Sequence, residues 1–260
     1  MRLTKRIHLV GSEQFGLSHP LDCNCYLIDG GSELALVDCG LGLGIEEILS
    51  NITRSGFEIE RLTHILITHS HIGHWGGAEG FRKRTKARVW VPSLAASTMS
   101  NIDDDPGIRI NVKLKRYPSG FVPRPCVPDS TFSDGNQVKI GEVEFKMIQV
   151  QGHTKDSVCF LLEEGSTRCL FTGDTVFYAG KIGLLNLDGC SLDDYRRDIS
   201  KLANLQVDAL FPGHGVFVLN RGQKHIQRAI NKLSDFVLPE SFFEDNEFVW
   251  DREYLQILSG

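Results

Sequence analysis

The chain has 260 residues, 41% of them hydrophobic, and a formal net charge of −5 with a pI near 6.0. That length supports a substantial buried core, and the acidic balance offers nothing to attract a nucleic-acid backbone or an anionic membrane surface. No apolar run approaches the roughly 20 residues of a membrane-spanning helix. The basic start at Arg2, Lys5 and Arg6 lacks the long apolar stretch and cleavage site of a secretory signal, so a cytoplasmic location is expected.

In chain order, residues 7–10, 25–28 and 34–38 read as strands, with Gly30-Gly31 turning between the last two. Ile45, Ile48, Leu49 and Ile52 mark a helical face over 45–55, ended by Gly56. A strand over 63–68 leads into Thr68-His69-Ser70-His71-Ile72-Gly73-His74. A helix over 75–84, a strand over 88–91 and a short helix over 93–100 follow. Residues 101–130 show no periodicity. They carry three consecutive aspartates (Asp103, Asp104, Asp105), a basic patch (Arg109, Lys113, Lys115, Arg116) and Pro118, Pro123, Pro125 and Pro128, and read as a long functional or solvated loop. Hairpins are expected over 137–140 with 143–150, and over 157–163 with 168–171. Helices over 192–202 and 223–237 flank a strand over 209–211. These patterns alone give a mixed α/β protein. The seven cysteines include no Cys-x-x-Cys pair, so free thiols are expected. Cys39, next to Asp38, is a weak candidate neighbour of a metal.

Three of the nine histidines lie within six residues at a strand end. Side chains two apart on an extended segment point the same way, so His69 and His71 converge, and Gly73 lets the chain turn His74 toward them. Imidazole clusters of this kind suit transition metals. His153, Asp174 and His214 each follow a strand-like run and sit beside a glycine, which permits close backbone approach.

This set resembles the metallo-β-lactamase superfamily, whose members carry His-x-His-x-Asp-His, a later His, a Gly-Asp and a final Gly-His. Here these are His69, His71, Gly73, His74, His153, Gly173-Asp174 and Gly213-His214, with Asp38 matching the early strand-end acid that supports the site. The resemblance covers nearly the whole chain and is thinnest over 109–128 and after Ser234. It implies an α/β, four-layer αββα sandwich forming one domain over 1–260, with a loop insertion at 101–130 and a C-terminal tail from about 238.

The same resemblance implies one or two divalent transition-metal ions, with zinc favoured and iron or manganese as alternatives. One ion takes His69, His71 and His153. The second takes His74 and His214, with Asp174 bridging. The departure is Gly73, where the family places Asp, and it predicts a weaker second site. The implied reaction is hydrolysis of an ester, thioester or lactone by a metal-bound hydroxide, as in glyoxalase II-like and lactonase-like members. Asp174 and His74 belong to the reacting centre, and Tyr178 and Lys181 are candidates to hold an oxyanion or carboxylate. Asn186 is a weaker candidate. A mononuclear iron oxidoreductase resembling persulfide dioxygenases and a non-catalytic metal-binding protein are the alternatives. A small-molecule substrate is expected, without nucleic acid or membrane. The aromatic, acidic segment 242–250 is a candidate to cap the fold, to line the pocket or to form a homodimer contact.

Overall fold

The computed structural model describes residues 1–243, save the side chains of Asp104 and Pro106, so most of the 242–250 segment lies outside the described residues. Two sheets form its centre. The first runs β1 (Ile7–Gly11), β2 (Cys25–Asp29), β3 (Leu34–Val37), β4 (Leu62–Leu66), β5 (Arg88–Pro92), β6 (Ser130–Phe132), in that spatial order. The first three are antiparallel and β3 to β6 are parallel. The second sheet contains β7 (Gln137–Ile140), β8 (Val143–Gln149), β9 (Val158–Glu164), β10 (Thr167–Gly173) and β11 (Ala209–Pro212), with only β10 and β11 parallel.

Both faces of the central strands are buried, and alternation assigns each residue to a layer. Tyr26, Ile28, Ala35, Val37 and Leu66 point between the sheets, where they meet Phe145, Met147, Phe160, Phe171 and Phe211. Their neighbours Cys25, Leu27, Leu34, Leu36 and Ile65 point outward under α1 (Ile45–Arg54) and, with Phe81, under α3 (Ala78–Thr85). On the far side Ile148, Cys159, Leu161, Leu170 and Leu210 pack against Tyr195 of α6 (Leu192–Asp198) and Ile226, Ala229 and Leu233 of α7 (Gly222–Leu233). The result is the expected αββα sandwich. Each buried Leu, Ile or Phe in these layers contributes roughly 1.5–3 kcal/mol. No helix among the described residues is long and apolar enough to cross a membrane.

Three elements differ from expectation. The helix expected over 75–84 is broken into α2 (Ile72–Trp75) and α3. The His74 carbonyl, which a continuous helix would commit to residue 78, instead accepts the Cys39 N–H at 2.8 Å, and Gly77 N–H donates to the Gly40 carbonyl at 3.0 Å. These bonds tie the turn after β3 to the histidine motif. The helix expected to reach 237 stops at Leu233 because the chain has left the sheet. Phe236 beyond it is 96% exposed among the described residues. Between α4 (Ala96–Ser100) and β6, residues 101–130 are not all loop, since they fold into α5 (Pro106–Lys113). Asp105 caps α5 by accepting the Ile108 N–H at 3.0 Å, with proline at the first helical position.

Candidate metal centre

The carboxyl ends of β3, β4, β10 and β11, together with the end of β8, open onto one place. Asp38 follows β3 with φ at 56°, a left-handed conformation that Asp tolerates better than most residues. Its Oδ1 accepts the Thr68 N–H at 2.8 Å, and its Oδ2 accepts the Thr68 hydroxyl and His74 Nδ1–H, each at 2.8 Å. The Thr68 oxygen in turn faces His69 Nδ1 at 3.0 Å. One buried carboxylate therefore fixes the orientation of two imidazoles.

The other histidines are held in the same manner. His153 Nδ1 lies 2.5 Å from the Gly183 carbonyl, and His214 Nδ1 lies 2.9 Å from Glu13 Oε1. With each Nδ1 directed at an oxygen, each Nε2 is left to face the centre, where loss of its proton presents a lone pair to a cation. The Nε2 atoms of His69, His74, His153 and His214 lie 3.9, 3.4, 3.4 and 3.7 Å from Asp174 Oδ2. His71 enters by its other nitrogen, with Nδ1 2.8 Å from His153 Nε2. All six sequence candidates for metal ligation are thus brought together.

Glycine beside these ligands is a steric requirement. A β-carbon at Gly213 would stand 2.5 Å from Asp174 Oδ1 and 2.6 Å from His74 Cε1. At Gly173, φ is +47° and a β-carbon would meet Thr68 Oγ1 at 2.7 Å.

The donor set fits metal ions. His69 Nε2 and Asp174 Oδ1 are buried without a hydrogen-bond partner, a costly state that a cation relieves. His69, His71 and His153 form one group of converging ligand atoms, and His69, His74 and Asp174 form another. Burial drives His69 well below the ordinary imidazole range and His153 down to about 3, so both are neutral, as ligation requires. Burial opposes ionisation of Asp174, but the imidazoles of His74 and His214 outweigh it and hold the carboxyl well below its usual range.

Above this floor lies a cavity of about 150 Å³ that includes His71, Gly73, His74, Asp174 and His214 in its wall. The rest of the lining is mostly apolar, with Leu21, Leu41, Ile72, Ile108, Leu187 and Phe243 prominent. Arg116 and Tyr117 also reach it from the segment after α5. Tyr178 and Lys181 do not line it. Tyr178 is 52% exposed, its ring 4.8 Å from that of His225, and the two residues border a separate depression with Val216 and Phe242. The turn at 178–180 runs back along α7, and this carries both side chains away from the centre. Arg109, Lys113 and Asn186 border a third depression, and Lys115 is exposed. The seven cysteines are free thiols, and Cys39 lies in the outer core rather than on the cavity wall.

Sequence reading missed Glu13, which holds His214, and Asp105, Ile108 and Tyr117 on the cavity wall. Glu13 carries no local signal. Asp105-Pro106-Gly107 does, because an acidic cap followed by proline is a helix start.

The profile of the metallo-β-lactamase superfamily matches residues 19–214. The chain belongs to this superfamily. Its relatives include an atrochrysone carboxyl ACP thioesterase of Aspergillus fumigatus, 27% identical over 80% of this chain and 55% of the relative. A hydroxyacylglutathione hydrolase of Francisella tularensis is 29% identical over 62% of this chain and 52% of its own length. The chain spans about half the length of these curated relatives. Among solved structures, the FEZ-1 metallo-β-lactamase of Legionella gormanii superposes with a TM-score of 0.69 at 20% identity, covering 90% of this chain and 93% of that one. BJP-1 of Bradyrhizobium japonicum gives 0.68 at 20% identity, over 90% of each chain. These structures establish the shared sandwich. The superfamily and the donor cluster together fit a divalent-metal centre.

Proposed function

We propose that this superfamily member hydrolyses a thioester or ester that carries an apolar acyl group, a lactone being the cyclic form of the same bond. The observation that carries this reading is the placement of a mostly apolar cavity directly over the imidazole and carboxylate donors. The names of the thioesterase and hydroxyacylglutathione hydrolase relatives agree with it.

His69, His71 and His153 would hold one ion and His74 and His214 a second, zinc being favoured by the imidazole-rich set, with Asp174 between them. Bound ions of this kind acidify water to near neutral pH and polarise a carbonyl. The chain's own residues do the rest. Asp38 and Glu13 keep His74 and His214 in the ligating tautomer. Leu21, Ile108 and Leu187 remove the acyl chain from water, which strengthens the electrostatics at the floor and orients the carbonyl over it.

The test is a panel of acyl thioesters, esters and lactones of graded chain length, given to zinc-, manganese- and iron-loaded protein. Cleavage that improves as the acyl group becomes more apolar is expected. Silence of every form toward the whole panel would overturn the proposal, and oxygen uptake by the iron form with a persulfide would replace it with the oxidoreductase reading.

A further inference from the structure

The centre lacks the carboxylate that its superfamily pattern places at position 73, and the space there is open: a β-carbon built on Gly73 meets nothing within 4 Å. Asp38 cannot move in to fill it, because both its oxygens are engaged by Thr68 and His74. Across the same cavity lies another carboxylate. Asp105 is 2% exposed, and only its Oδ1 is occupied, by the cap on α5. Its Oδ2 is buried with no hydrogen-bond partner among the described residues. A β-carbon on Gly107 would stand 3.0 Å from Asp105 Oδ1 and 3.7 Å from His71 Cδ2, so acid and imidazole flank one point on the cavity wall.

A helix cap needs one oxygen, and solvent usually takes the other. Burying the second oxygen without a partner costs on the order of 1–3 kcal/mol, more for a charged group, unless a cation or donor meets it. The wall it shares with His71, Gly73, His74 and Asp174 is where such a cation belongs.

Resting on the two-ion reading above, we propose that Asp105 supplies from the insertion the negative charge that Gly73 does not supply from the histidine motif. The carboxylate stabilises the ion held by His74, Asp174 and His214, either as a ligand or across one water molecule. The second site is thereby split between two elements: its imidazoles and Asp174 come from the sheet ends, and its compensating carboxylate comes from α5.

Asp105→Asn tests this directly, since Asn caps a helix as well as Asp does and removes only the charge. Zinc titration of metal-stripped protein against a competing chelator reads both equivalents without reference to activity. The first equivalent is expected to bind as in the wild type and the second to weaken by about tenfold or more. Adding Gly73→Asp to Asp105→Asn should restore the second equivalent, while Gly73→Asp alone should gain less. Unchanged binding of both equivalents by Asp105→Asn, equal gains from Gly73→Asp in the two backgrounds, or a wild type that takes up a single equivalent would each overturn the inference. A wild type that binds no zinc at all would instead overturn the two-ion reading on which it rests.

Discussion

The floor of the cavity and its roof are built on different principles. The floor consists of strand-end residues whose hydrogen bonds are nearly all internal: Asp38 to Thr68 and His74, Gly183 to His153, Glu13 to His214. The roof comes from α5 and the chain after it, where Ile108 and Tyr117 offer surface but few bonds that fix them to the floor. Chemistry that needs ligands placed to a few tenths of an ångström is carried by the sheet ends. On the proposed reading, selection of the acyl group falls to the roof, which the hydrogen bonds of the floor do not include.

This contrast breaks most visibly at the floor. Asp174→Ala removes the carboxylate that four Nε2 atoms approach, and it should lower hydrolysis more than about a hundredfold and abolish tight uptake of at least one metal equivalent. The circular dichroism of the sheets should persist, because the core layers do not depend on the metal. Retained metal binding and activity would mean that the floor is not the working part.

A second effect, of order a few kcal/mol, reads the same floor without metal. His153 has a folded-state pKa of about 3 because burial excludes its charge, whereas unfolded imidazole titrates near 6.5. Below pH 6.5 the unfolded chain takes a proton that folded His153 refuses, so this contribution is present above 6.5 and is lost as pH falls. At pH 5 it amounts to about 2 kcal/mol. In chelator, chemical denaturation of the wild type should lose that much more stability between pH 7 and pH 5 than His153→Asn loses. Parallel pH profiles would show that the ring is hydrated rather than sealed.

The smallest expected effect belongs to the roof. Ile108→Ala strips three carbons from the apolar wall and enlarges the cavity, and it should shift the preference between long and short acyl groups about tenfold while leaving zinc stoichiometry untouched. A change in metal content instead would show that roof and floor are mechanically coupled.

The difference in construction also explains what could be read before folding. All six metal-ligand candidates were legible because His69, His71 and His74 cluster just after a strand and His153, Asp174 and His214 each follow a glycine at the end of an apolar run, and spacing and glycine are local features. The layers of the sandwich came from the resemblance, since the patterns alone gave only a mixed α/β protein; in the folded chain Cys25, Tyr26, Leu27 and Ile28 point alternately to the outer and inner cores. Tyr178 and Lys181 show the limit. Closeness in sequence to Asp174 suggested closeness in space, but the turn at 178–180 runs back along α7 and carries them to another depression.

The sequence by itself offered the six ligand candidates and most of the strands, because these depend on residue type and short-range spacing, while likeness to the superfamily pattern marked Gly73 as the departure. Tertiary structure alone decided that Glu13, 201 positions before His214 in the chain, fixes the orientation of that imidazole. It also decided that Asp105, the cap of α5, comes to lie beside His71. Contacts of that kind depend on how the sheets and the insertion pack together, and no local periodicity encodes the distance between two residues that meet only once the core has formed.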